Sequence, residues 1–131
     1  MAIAKARIGK MHYRTVIRTG SDLQHEVIAD EPERLGGADT GPAPFDLLVS
    51  ALGACTAITL TMYAERKQWP LEELEVQLEY RGGDQPSIER ILVPVGPLDE
   101  AQLARLADVA ERTPVTLAIK SGVAINTRLQ E

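Results

Sequence analysis

GPAPFDLLVSALGACTAITLTMYAERK, Gly41 to Lys67, is the stretch on which the fold turns. Pro44 fits the first turn of a helix, where its missing N–H costs nothing. Asp46 falls in the same turn, where a carboxylate suits the macrodipole. Trp69-Pro70 ends the run, so the spacing predicts one helix from about Pro44 to Lys67. Leu48, Leu52, Cys55, Thr59 and Met62 alternate steps of four and three and share one stripe. Leu47, Ala51, Ala54 and Ile58 form a second apolar stripe beside it. A helix apolar over so much of its circumference is expected to be buried on most sides. Gly53 in its middle costs about 1 kcal/mol against alanine, so a close neighbour is expected there. Threonines interrupt the apolar run, and Glu65, Arg66 and Lys67 follow it. It is therefore expected to be too short and too polar at its end to span a bilayer.

Around this helix the pattern changes period. Ala4 to Ile8, Tyr13 to Thr19 and Gln24 to Asp30 read as three short strands, with a hairpin turn at Gly20-Ser21-Asp22. Glu31 to Pro44 carries three glycines and three prolines and is a loop, of a length that often serves function. Beyond the helix, Leu74 to Arg81 alternates apolar and polar residues. Gly82-Gly83-Asp84 turns the chain, and Ile88 to Val95 returns. Leu98 to Arg112 reads as a second helix with Asp99 as its cap and Leu103, Leu106, Ala107 and Ala110 on its apolar face. Thr113-Pro114 breaks it, a short turn or helix follows, and Val123 to Leu129 is expected as a closing strand. The order βββ-α-ββ-α-β is an α+β pattern with mostly antiparallel pairing, in one domain over residues 1–131.

Charge and composition exclude several functions. The 131 residues carry a net charge of −5, which offers no basic surplus for phosphate binding or for an anionic membrane surface. The expected partners therefore include neither nucleic acid nor membrane. The N-terminal segment is basic but has no apolar core of a secretory signal. A single cysteine cannot form an internal disulfide, so a cytoplasmic location is the default. His12 and His25 fall in expected strands with no ligand spacing, and neither a metal nor another cofactor is expected.

Cys55 is that single cysteine. Free cysteine is among the most buried residue types, so inert packing is the bland reading. Reactivity requires a helix N-terminus or nearby cations. Cys55 lies about three turns into its own helix, at 3.6 residues per turn, so that helix offers it little. Activation must come from elsewhere in the fold or from a partner chain; Arg14, Arg18, Arg34 and Arg90 are candidates by residue type. Asp46 sits nine residues earlier, on roughly the opposite side of the helix at about 100° per residue, and reads as a helix-start residue. His25 has the chemistry of a general base, but for it and His12 an ordinary strand position is the plainer reading.

The run GGADTGPAPFDLLVSALGACTAITLTMYAERKQWPLE, Gly36 to Glu72, resembles the osmotically inducible protein C and organic hydroperoxide resistance family (OsmC/Ohr), in its small-protein branch. The DEPERLGG loop, the strand pair and ADVAERTPV extend the resemblance over nearly the whole chain. It implies an intertwined homodimer in which strands of both chains surround two central helices. It also implies thiol peroxidase chemistry on organic hydroperoxides. Cys55 matches the attacking cysteine, and an arginine holds the thiolate and peroxide, with Arg34 the best match by position and Arg18 the next. The family's second cysteine corresponds to Thr113, and a histidine after Pro-Val to Thr116. A glutamate expected after the helix-start proline is Phe45, with Asp46 one step later.

Three functions follow from that mixture. The first is a one-cysteine thiol peroxidase or redox protein, in which Cys55 is oxidised to a sulfenate and an external thiol reductant recycles it. Phe45, Leu48, Asp46 and Thr113 would line its substrate site. The second is a non-catalytic dimer that binds a small apolar hydroperoxide or lipid-like ligand in its cleft. The third is a structural or regulatory dimer.

Overall fold

The computed structural model describes residues 1–130, which form two compact units, Met1–Leu48 and the described residues from Val49 onward. The first unit is an antiparallel meander of β1 (Ala4–Ile8), β2 (Thr15–Thr19) and β3 (His25–Ala29) in the order β1-β2-β3. Val16 pairs with Arg7 on one side and with Ile28 on the other. His12 lies in the turn before β2 rather than in a strand, and His25 opens β3.

The loop after β3 is held by one carboxylate. Asp30 is buried and accepts hydrogen bonds from the Glu31 N–H at 2.8 Å, the Thr40 N–H at 3.0 Å and the Thr40 hydroxyl at 2.6 Å. These bonds, Thr40 first, hold its pKa down at about 2. The glycines of this loop answer to sterics as well. A Cβ on Gly41 would stand 2.2 Å from the Ile28 carbonyl oxygen, so no side chain fits there.

The helix α1 spans Pro44–Lys67, as its spacing predicts. In the second unit it packs with a hairpin of β4 (Glu73–Arg81) and β5 (Ser87–Val95) and with α2 (Glu100–Ala110). Asp99 and Gln102 form a reciprocal capping box at the start of α2. The helix α3 follows at Pro114–Ser121, with Thr113 as N-cap and proline at its first position. Leu60, Leu106 and Ala110 form the core, joined by Tyr63, Trp69, Leu74, Leu92, Leu98 and Val109. Gly53 meets the expected close neighbour: a Cβ there would lie 2.8 Å from Cδ1 of Leu78 in β4.

Three expectations are corrected. The buried line of α1 is Leu52, Thr56, Leu60 and Ala64, at steps of four. Only Leu52 belongs to either apolar stripe read from the sequence. Ile58 and Met62 are instead exposed, at 55% and 51%. A helix apolar nearly all round does not fix its own phase, so its sequence alone does not say which line is buried. At 24 residues α1 is also long and apolar enough to cross a membrane by length and composition, against the expectation that it is too short. Its Leu60 is fully buried against Leu106 and Ala110 in the core of the second unit.

The third correction concerns the closing strand. Residues 122–130 have no regular structure, and among the described residues no strand pairs with them. A strand needs a neighbour to satisfy its N–H and C=O groups. Val123, Ile125 and Leu129 keep their alternation and stand 69%, 84% and 89% exposed.

Candidate functional site around Cys55

Cys55 is half-buried on α1. Its sulfur lies 3.9 Å from the Thr59 hydroxyl, one turn on, and accepts a hydrogen bond from the Val115 N–H at 3.4 Å. Val115 is the second residue of α3. The sulfur therefore faces the N-terminal turn of a helix, although not of its own. Unpaired N–H groups and the macrodipole make such a turn favourable for negative charge. The fold thus supplies from α3 the helix terminus that α1 cannot provide at its third turn.

Behind this contact lies a polar cluster built on Arg90. Alternation along β5 puts Arg90 on the same face as Ile88, Leu92 and Pro94, and its side chain is only 12% exposed. A cation on that apolar face requires partners. One guanidinium nitrogen donates to the Thr56 hydroxyl at 3.0 Å and to the Thr116 hydroxyl at 2.9 Å. The other donates to the Ala110 carbonyl at 2.9 Å, at the C-terminal end of α2, and to Glu111 at 3.4 Å. The hydroxyl protons are placed as well: Thr56 donates to the Leu52 carbonyl at 2.7 Å, and Thr116 to the Ala110 carbonyl at 3.2 Å. Thr113 is 1% exposed, and its hydroxyl pairs with Thr116 rather than capping α3. Glu111 also binds the Lys120 ammonium at 2.7 Å. That cation first, and Arg90 after it, keeps the carboxyl below its ordinary range.

The residues singled out by sequence divide between the two units. Cys55 and Thr113 belong to the second, where the segment beginning at Thr113 reaches the Cys55 sulfur through Val115. Phe45, Asp46, Leu48 and Arg34 belong to the first. Asp46 accepts the Ala43 N–H at 2.9 Å and so works as a helix-start residue. Phe45 is 54% exposed in the first turn of α1, Leu48 is 36% exposed, and Arg34 is exposed on the short 3-10 turn Glu33–Leu35. Arg18 pairs with Glu26 at 3.3 Å. Arg90 was named only by residue type. Its place on the apolar face of an alternating strand is the signal that marks it. Among the described residues no group of three or more His, Cys, Asp or Glu side chains is placed to hold a metal ion.

A model of the family described as OsmC-like protein matches residues 36–128. The chain belongs to this family. OsmC-like architecture is also what the solved structures share with it. The OsmC-like protein of Mycoplasma pneumoniae superposes with a TM-score of 0.76 at 18% identity, over 93% of this chain and 89% of that one. The organic hydroperoxide resistance protein OhrB of Bacillus subtilis gives 0.63 at 22% identity, over 93% and 92%. The organic hydroperoxide resistance protein OsmC of Legionella pneumophila gives 0.65 at 20%, over 92% and 89%. At these identities the likeness carries the fold alone. No curated protein sequence matches the chain.

Elsewhere in the second unit, an apolar recess of about 260 Å³ is lined by Leu60, Leu74, Leu92, Pro94, Leu103, Leu106 and Ala107. It is built from α1, the hairpin and α2, on the core side of the unit.

Proposed function

We propose that this OsmC-like protein is a one-cysteine, thiol-dependent peroxidase for organic hydroperoxides, working in oxidative stress defence in the cytoplasm. The observation that carries this reading is the Cys55 sulfur at the N-terminal turn of α3, with the Val115 N–H aimed at it. Such a donor stabilises a sulfur that carries charge. The relatives in Bacillus subtilis and Legionella pneumophila, which bear the name of organic hydroperoxide resistance, support the substrate class.

The chemistry needs no metal. The Cys55 thiolate attacks the outer oxygen of the hydroperoxide. The S–O bond forms as the O–O bond breaks, and the alkoxide leaves as an alcohol after taking a proton from water. The sulfur is oxidised to sulfenic acid and the peroxide is reduced. With Thr113 where the family's second cysteine stands, an external thiol attacks the sulfenic sulfur and releases water. A second thiol then frees Cys55 and carries away the disulfide. Within the second unit, Cys55 is the proposed reacting group, and the segment that begins at Thr113 is its proposed neighbour.

The working unit in this reading is a homodimer. Support comes from apolar surface that a lone chain leaves in water: Ile58 and Met62 on α1, Ile91 on β5, and Val123, Ile125 and Leu129 in the C-terminal segment. Consumption of tert-butyl or cumene hydroperoxide with a dithiol, compared between the native protein and Cys55→Ser, tests the function. Loss of turnover in the variant is expected, and equal rates refute the reading.

The recess beside Leu60 favours a second reading, an apolar ligand-binding protein without catalysis. A thermal shift with medium-chain fatty acids that Leu103→Glu removes, in a protein inert to peroxide, would select it.

A further inference from the structure

The two hydroxyls that Arg90 joins occupy a particular place. Thr56 is the residue after Cys55, and Thr116 is the residue after Val115. Arg90 thus bridges the immediate neighbours of both ends of the Cys55–Val115 hydrogen bond, at 3.0 Å and 2.9 Å from the same nitrogen. Its other nitrogen fixes the C-terminal carbonyl at Ala110, only a few residues before α3 begins. One planar fork therefore ties α1, the end of α2 and the first turn of α3 together beside the thiol. An ammonium, as a point charge, does not reproduce that fork.

We infer that Arg90 is the positioning residue for Cys55: through Thr56 and Thr116 it holds the N-terminal N–H of α3 on the sulfur and so sets the reactivity of the thiol. Arg90 acts on the sulfur through Thr56 and Thr116, and so through the helix that it anchors. Thr113 belongs to the same device. In place of a second thiol it offers a hydroxyl that completes the hydrogen bonding of Thr116. The inference rests on the reading of Cys55 as the reactive group, but its test does not depend on peroxide turnover.

The experiment measures the rate of Cys55 alkylation by iodoacetamide at pH 7 and again at pH 10, in the native protein and in Thr116→Val, Thr116→Ser and Arg90→Lys. Valine keeps the volume of threonine and removes the hydroxyl, while serine keeps the hydroxyl and removes a methyl. The expected result is a fall of about tenfold at pH 7 for Thr116→Val and Arg90→Lys, the size of one lost charge-assisted hydrogen bond. Thr116→Ser should retain the native rate. At pH 10, where an ordinary thiol of pKa about 8.5 is already ionised, the variants should converge on the native rate. A role in packing alone reverses the order, with serine the slower of the two threonine variants. That order, or rates at pH 7 equal to native in both Thr116→Val and Arg90→Lys, overturns the inference. If Arg90→Lys does not fold, the valine and serine pair decides it. A native thiol that alkylates rapidly but never reduces peroxide would refute the proposed function and leave the role of Arg90 standing.

Discussion

The Cys55 sulfur accepts the N–H of Val115, a residue 60 positions further along the chain, at 3.4 Å. That contact joins the middle of α1 to the beginning of α3. It brings the cysteine to a helix terminus that its own position in sequence denies it. The consequences of this packing can be measured at several points.

The core should be sensitive to volume. Leu60 is fully buried against Leu106 and Ala110, so Leu60→Ala should destabilise by about 2–5 kcal/mol in a urea titration. Gly53→Ala should behave differently. The helix gains about 1 kcal/mol in propensity, and the atom in the way is the rotatable tip of Leu78. The net change should stay within about 1 kcal/mol, because that tip turns aside at a cost of the same order.

Acid should release the Asp30 clasp late. Its folded-state pKa, about 2, lies below the ordinary value of 3.8. A depressed carboxylate contributes stability that is present above its unfolded value and lost as pH falls through the folded one. The contribution should therefore persist at pH 5 and fade between pH 4 and about 2, read from NMR shifts and amide exchange at Thr40. Asp30→Asn should remove that dependence and speed exchange in the loop at neutral pH. An unchanged acid profile in the variant would show that another carboxylate governs it.

Assembly should depend on the bare face of α1. Ile58 is 55% exposed in the single chain, and a charge there is harmless unless a second copy covers it. Light scattering should give twice the chain mass for the native protein and one chain mass for Ile58→Glu, with helix content preserved. A native monomer would refute the dimer.

Sequence and structure agree most where local chemistry decides the outcome. The bounds of α1 follow from Pro44 at its start and Trp69-Pro70 beyond its end. The capping box at Asp99 and the alternation of β4 and β5 are local in the same way. The phase of α1 was not legible, because alanines, threonines and leucines surround it on every side. The placement of α3 on Cys55 was not legible either, since it depends on contacts spanning tens of residues. Arg90 stood between these cases. Its inward register on β5 could be read, but its partners on α1 and α3 could not. The segment from Val123 to Leu129 shows the opposite limit: a pattern fit for a strand, without a strand to pair with among the described residues.

Position 113 offers a test by addition. The segment it begins contacts the Cys55 sulfur through Val115, and the sequence resemblance matches Thr113 to a second cysteine. Thr113→Cys should close an intramolecular disulfide after treatment with peroxide, seen as loss of both free thiols with no trapped sulfenic acid. A sulfenic acid on Cys55 that persists beside a free thiol at position 113 would show that residue 113 does not reach Cys55.

The central claim is that Cys55 reacts with organic hydroperoxides as a thiol without a resolving partner in its own chain. The most direct measurement treats the native protein with one equivalent of cumene hydroperoxide in the presence of dimedone and maps the adduct by peptide mass spectrometry. The account predicts a single dimedone adduct on Cys55, matched by loss of the titratable thiol and by release of the alcohol. An intact thiol with no adduct after the peroxide treatment would contradict it.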